Sequence, residues 1–181
     1  MMTLAAGILA FAAVQLQMRD QRRTLREKQE TQKRAIATGI LYEIDSFFLL
    51  ELEGVEKTLS LWDAASDPLP SSAFIRQNSF EIYRANSLLL GSLNPKSVSA
   101  IVKFYTMAGT YEALAREYEH FLDRVYSGVN AKEFEKCARQ RLKMLRDLIP
   151  QMKELTTNVS KAVAEDCGLN ELVDKDDAQA H

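Results

Sequence analysis

The first eighteen residues, Met1 to Met18, carry no charged side chain, and the chain then turns abruptly basic from Arg19 to Arg34. No other feature constrains the possible folds as much. The apolar core Leu4 to Val14 is too short for a bilayer. The uncharged stretch through Met18, however, reaches roughly 27 Å as a helix at about 1.5 Å per residue, close to one hydrocarbon thickness. Seven basic residues (Arg19, Arg22, Arg23, Arg26, Lys28, Lys33, Arg34) against three acids (Asp20, Glu27, Glu30) follow at once. Basic residues flanking a span stay cytoplasmic. The expectation is a single N-terminal transmembrane anchor over 1–18, a basic juxtamembrane helix over 19–38, and a body on the cytoplasmic side of a bacterial inner membrane. Arg19, Arg22, Arg23, Arg26 and Lys28 are then the candidates for contact with anionic lipid headgroups.

Three other readings compete. A secretory signal peptide would carry its positive charge ahead of the apolar run, whereas here the charge follows it, although Ala10-Phe11-Ala12 has the small-residue pattern of a cleavage site. An interfacial amphipathic helix needs polar residues every third or fourth position, and Leu4 to Val14 has none. A buried core helix of a soluble protein is the third alternative.

The whole chain is 46% apolar, enough for a core once the anchor is set aside, and only seven Gly and four Pro argue against a β-rich or disordered chain. The net charge of -2 conceals segregation: residues 1–38 are net basic, whereas 41–70 and 165–181 are net acidic. Overall nucleic-acid affinity is therefore not expected. Cys137 and Cys167 are thirty positions apart in one helical stretch, about 45 Å along an intact helix, so they cannot pair within it.

The periodicity is helical throughout. From Asp20 the Arg, Glu, Gln, Lys and Ala content predicts an uninterrupted helix into the body, with an apolar stripe from Ile36 through Ile40, Ile44, Leu52, Val55 and Leu59 to Trp62. Gly39 and Gly54 are read as tolerated within it. Asp67 to Ser72, with two prolines, is a loop. A short helix is predicted over 73–90, ending at a left-handed Gly91. Asn94-Pro95 starts the next helix, to about Ser127. Asn130 and Glu133 suggest a capping box for the last, from Ala131 to about Asp166. Pro150 should kink that helix, and Gly168 should cap it. The fold class is all-α: the anchor helix continues into an antiparallel bundle of three long helices and one short helix over 39–168, followed by a disordered acidic tail over 169–181.

Chemistry is sparse. Glu117-x-x-His120 places a carboxylate and an imidazole on one helical face, as in di-iron bundles, but a second unit is missing because the other histidine is His181. Cys137 sits on the apolar stripe, where an inert thiol is the usual reading. There is no Gly-rich phosphate loop, CxxC or HExxH. No catalytic, metal or cofactor site is expected, and enzyme activity is unsupported. Lys136, Arg139, Lys143 and Arg146 follow i, i+3, i+7 and i+10, which makes either a solvated face or a face for an acidic partner.

The segment Phe80-Glu81-Ile82-Tyr83, through Asn94-Pro95, to Ile101-Val102-Lys103-Phe104-Tyr105 resembles uncharacterised bacterial proteins with one short N-terminal span, a basic juxtamembrane helix and a small all-helical body. The resemblance is one of architecture and implies no activity and no site residues. The expected function is a membrane-tethered helical interaction or scaffolding module, with the lipid bilayer and either self-association or a protein partner. The alternative is a sensory bundle transmitting between membrane and cytoplasm.

Overall fold

The computed structural model describes residues 2–48, 52–62, 68–70, 80–128 and 130–169, without the side chains of 2–13. Every regular element among them is helical: α1 (Met2–Phe47), α2 (Glu53–Leu61), α3 (Glu81–Asn86), a 3₁₀ segment (Ser87–Ser92), α4 (Pro95–Tyr126) and α5 (Ala131–Cys167).

The framework is the pair α4 and α5. Their connection is a tight turn with Gly128 and Asn130 both at positive φ (75° and 53°), which leaves the helices antiparallel neighbours. Lys96 reaches Glu165, Ser97 Oγ donates to the Ala162 carbonyl at 3.0 Å, and Arg141 pairs with Glu117. Along the seam Ile101, Phe104, Ala108, Ala115, Tyr118, Leu142, Leu145, Met152 and Val159 are all buried. Tyr111 fills the centre, edge-on to Phe47 at 5.8 Å.

Only the second half of α1 lies on this pair. From Ile36 its stripe Ile36, Ala37, Ile40, Leu41, Ile44 and Phe47 is buried. α1 runs antiparallel to α5, with Lys33 against Asp166 at one end and Phe48 under the Lys153 ammonium at the other. From Val14 to Gln32, by contrast, every residue is exposed. These residues form a bare helical stalk, about 28 Å long at 1.5 Å per residue.

Several local expectations are met. Asn94 caps α4 by accepting from the Lys96 amide, with Pro95 in the first turn. Gly168 (φ 64°) ends α5, and the Leu169 amide returns to the Ala164 carbonyl while its side chain packs on the core.

Others need correction. Of the helix expected to run unbroken through Trp62, α1 to Phe47 and α2 from Glu53 are described, with Phe48 and Leu52 π-helical at their facing ends, and residues 49–51 lie outside the described residues. The three long helices among the described residues are α1, α4 and α5. The short helix is reduced, among the described residues, to the six of α3 followed by a 3₁₀ segment. Gly91 lies inside that segment and is not left-handed. Asn130 makes no side-chain cap and instead turns the chain through its own left-handed backbone. Gly39 is not merely tolerated, since a Cβ there would come within 3.1 Å of Ile82 Cγ2. As expected, Pro150 lies inside a single α5 that runs from Ala131 to Cys167.

Among the described residues no helix is long and apolar enough to cross a membrane. The side chains of Leu4 to Ala13, nearly all of the apolar core of the expected anchor, lie outside that description, as do residues 170–181 of the expected tail.

Candidate functional site

The polar features gather in three places, and the stalk of α1 is the most exposed. Arg19, Arg22, Arg23 and Arg26 recur at i, i+3, i+4 and i+7, so they share one face. Arg23 Nε donates to Glu27 Oε1 at 2.8 Å, which raises the guanidinium pKa through that hydrogen bond and the Glu27 charge. Lys28 points to the opposite side, among Gln17, Gln21, Thr24 and Leu25. Of the five sequence-predicted headgroup residues, four therefore form one stripe and Lys28 stands apart.

The stalk meets the body at a charged joint. Lys33 Nζ donates to Asp166 Oδ1 at 2.8 Å and to the Asp166 carbonyl at 3.2 Å, while Asp166 Oδ2 accepts from the Asn94 amide at 2.6 Å. One carboxylate thus ties α1 to both the end of α5 and the start of α4. Burial alone would push the Asp166 carboxyl up, but the Lys33 ammonium and the Asn94 amide outweigh it and hold its pKa below the usual value. Lys33 is raised, first by its hydrogen bond to Asp166.

Further along α1, Glu43 is buried and has no basic partner among the described residues. Its Oε1 accepts from the Ile82 amide at 2.7 Å, and its Oε2 from the Tyr83 amide at 3.1 Å and the Tyr105 hydroxyl at 2.5 Å. The Tyr83 and Tyr105 rings stack at 3.8 Å. Burial, then the adjacent carboxylate, drives the Tyr105 hydroxyl pKa far above its usual value. Glu43 and Tyr105 are buried, and the chemistry of the node is that of a staple joining α1, α3 and α4. The sequence does not single it out, since Glu43 is one of several acids in the net-acidic stretch 41–70 and its partners lie about forty or more residues away. Its one signal was its place one residue before Ile44 on the buried stripe.

The basic face proposed on α5 is only partly assembled. Lys136, Lys143 and Arg146 are exposed. Arg139 is drawn inward, paired with Glu135 at 2.7 Å and lying 5.9 Å over the Trp62 ring. It is half-buried, with its guanidinium shared between Glu135 and the Trp62 ring at the end of α2. Lys132, Lys136 and Lys143 line a shallow surface groove with Glu135, Arg139 and Gln140.

Glu117 is occupied by Arg141, and His120 lies against the Phe121 ring at 5.9 Å. Among the described residues no group of three or more His, Cys, Asp or Glu side chains could hold a metal ion. Cys137 and Cys167 are both free thiols, and burial raises the Cys167 pKa. No family model, no curated protein and no solved structure matches this chain.

Proposed function

We propose that the chain is a membrane-tethered helical interaction module: residues 1–18 insert in a bilayer, the arginines of the stalk meet anionic headgroups, and the body stands off as an antiparallel bundle on the cytoplasmic side. The observation that carries the reading is the stalk. A helix of about this length exposed on all sides is marginal in water unless it is secured at its ends. In this chain the body holds one end at Lys33, and the uncharged run to Met18 is what would hold the other. The positive charge directly after that run gives the orientation. The exposed Lys136, Lys143 and Arg146 then offer an acidic protein partner a surface on the side of the body formed by α5.

The test is fractionation of cells expressing the full chain and a variant lacking residues 1–18. The full chain should sediment with membranes and resist alkaline carbonate, and the shortened chain should move to the supernatant. A shortened chain still found wholly with membranes would end the tether reading. A sensory role is favoured by one further observation: α1 is a single helix from residue 2 to Glu43, so a shift at the membrane would be delivered directly to the Tyr83–Tyr105 stack. Unchanged amide exchange around Tyr83 on moving from neutral to anionic lipid would count against that role.

A further inference from the structure

We infer that the acidic segment Asn170 to His181 docks on the arginine stripe of the α1 stalk, so that the chain covers its own most basic surface. Four arguments converge on this occupant.

The first is phase. Eighteen residues make five full turns of an α-helix. Arg19, Arg22, Arg23 and Arg26 therefore lie on the same side of α1 as Ala37, Ile40, Leu41 and Ile44, which are all buried against the body. The stripe extends the packed face of α1 beyond the end of its partner.

The second is direction. α5 runs antiparallel to α1 along this face, with Lys153 at Phe48 and Asp166 at Lys33. The chain leaves α5 at Leu169, beside the base of the stalk and on the side where the arginines point. The third is reach. Twelve residues follow Leu169, enough for about 40 Å when extended. Lys33 to Arg19 is only about 21 Å along the helix, so the segment covers the stripe even after a turn at Gly168.

The fourth is charge. Glu171, Asp174, Asp176 and Asp177 bring four acids against the single Lys175. Four acids in a segment that can span the whole stripe match its four arginines in number and opposite charge. Arg23 already has Glu27 as a partner, and Arg19, Arg22 and Arg26 lie exposed beside it. A tethered segment acts at an effective concentration in the millimolar range, so several weak ion pairs suffice to hold it.

The docked segment would compete with anionic headgroups for the same guanidinium groups. The proposal goes beyond the tether and does not need it, because the contact forms within one chain and is tested without lipid. The full chain in non-ionic detergent is labelled with phenylglyoxal, and the rate at each arginine is read by mass spectrometry. The comparison is a variant carrying Glu171→Gln, Asp174→Asn, Asp176→Asn and Asp177→Asn, and exposed Arg146 serves as internal standard.

At low salt Arg19, Arg22, Arg23 and Arg26 should react roughly fivefold faster in the variant, in line with a few exposed ion pairs acting together, while Arg146 is unchanged. The difference should vanish near 0.5 M salt, where screening is short-ranged. Equal rates at low salt would overturn the proposal. Protection that grows with protein concentration would assign the stripe to the acidic segment of a second copy, and protection arising only on adding phosphatidylserine would assign it to headgroups. Either result also overturns intramolecular docking.

Discussion

At Glu43 a single carboxylate accepts two backbone amides and a tyrosine hydroxyl inside the core. Replacing it strands three donors, because buried groups left without partners cost their full desolvation. Glu43→Ala should destabilise the protein by about 2–4 kcal/mol, and Glu43→Gln, which retains one acceptor oxygen, by less. The midpoint of urea unfolding checks both. Asp166 makes a prediction in pH. Its carboxyl is held below the usual value of 3.8 in the folded protein, so it contributes stability above that value and loses it as pH falls through the lowered folded value. Asp166→Asn should therefore flatten the acid limb of the stability profile and leave its shape above pH 5 unaltered. At Gly39 the 3.1 Å approach of Ile82 to a virtual Cβ sets a contact against the helix propensity of alanine. Gly39→Ala should come out close to neutral, whereas Gly39→Val forces Ile82 aside and should cost about 1–3 kcal/mol by overpacking.

Among the elements, α5 carries the clearest internal conflict. Pro150 is exposed, lies well inside a 37-residue helix and cannot donate to the Arg146 carbonyl. Because its ring faces solvent and carries no packing, Pro150→Ala should raise the melting temperature, with a gain of at most about 3 kcal/mol in helix propensity. A fall in melting temperature would mean that the irregularity at Pro150 is needed to seat α5 on its neighbours. The turn between α4 and α5 shows the limit of capping signals. Asn130 and Glu133 have capping-box spacing, yet the tight connection puts Asn130 in the left-handed region, where its side chain makes no cap. The Asn94-Pro95 start of α4 was legible because both preferences are local. The π-helical residues Phe48 and Leu52 were not, since a change from α to π winding leaves no mark in composition, and Phe47 and Leu52 both lie in the core.

For the whole molecule, α1 divides into a packed half and a bare half, with the Lys33–Asp166 joint between them. Amide exchange should divide there too, with fast exchange over 14–32 and protection from Ile36 to Phe47. Uniform protection along α1 would mean that the stalk is packed along its whole length, which exposed side-chain ion pairs to an acidic segment do not produce. The sequence by itself determined the all-helical class, the apolar stripes, the start of α4 and the end of α5, because each depends on periodicity or on the dihedral preferences of one or two residues. It also determined the charge segregation from which the tether is proposed. Only the tertiary structure decided which acid of α1 is buried, which glycine touches a neighbour, and that Arg139 lies over Trp62. Those outcomes depend on which surfaces meet across more than thirty residues of chain, and a hydropathy pattern records which side of a helix seeks cover without recording what provides it.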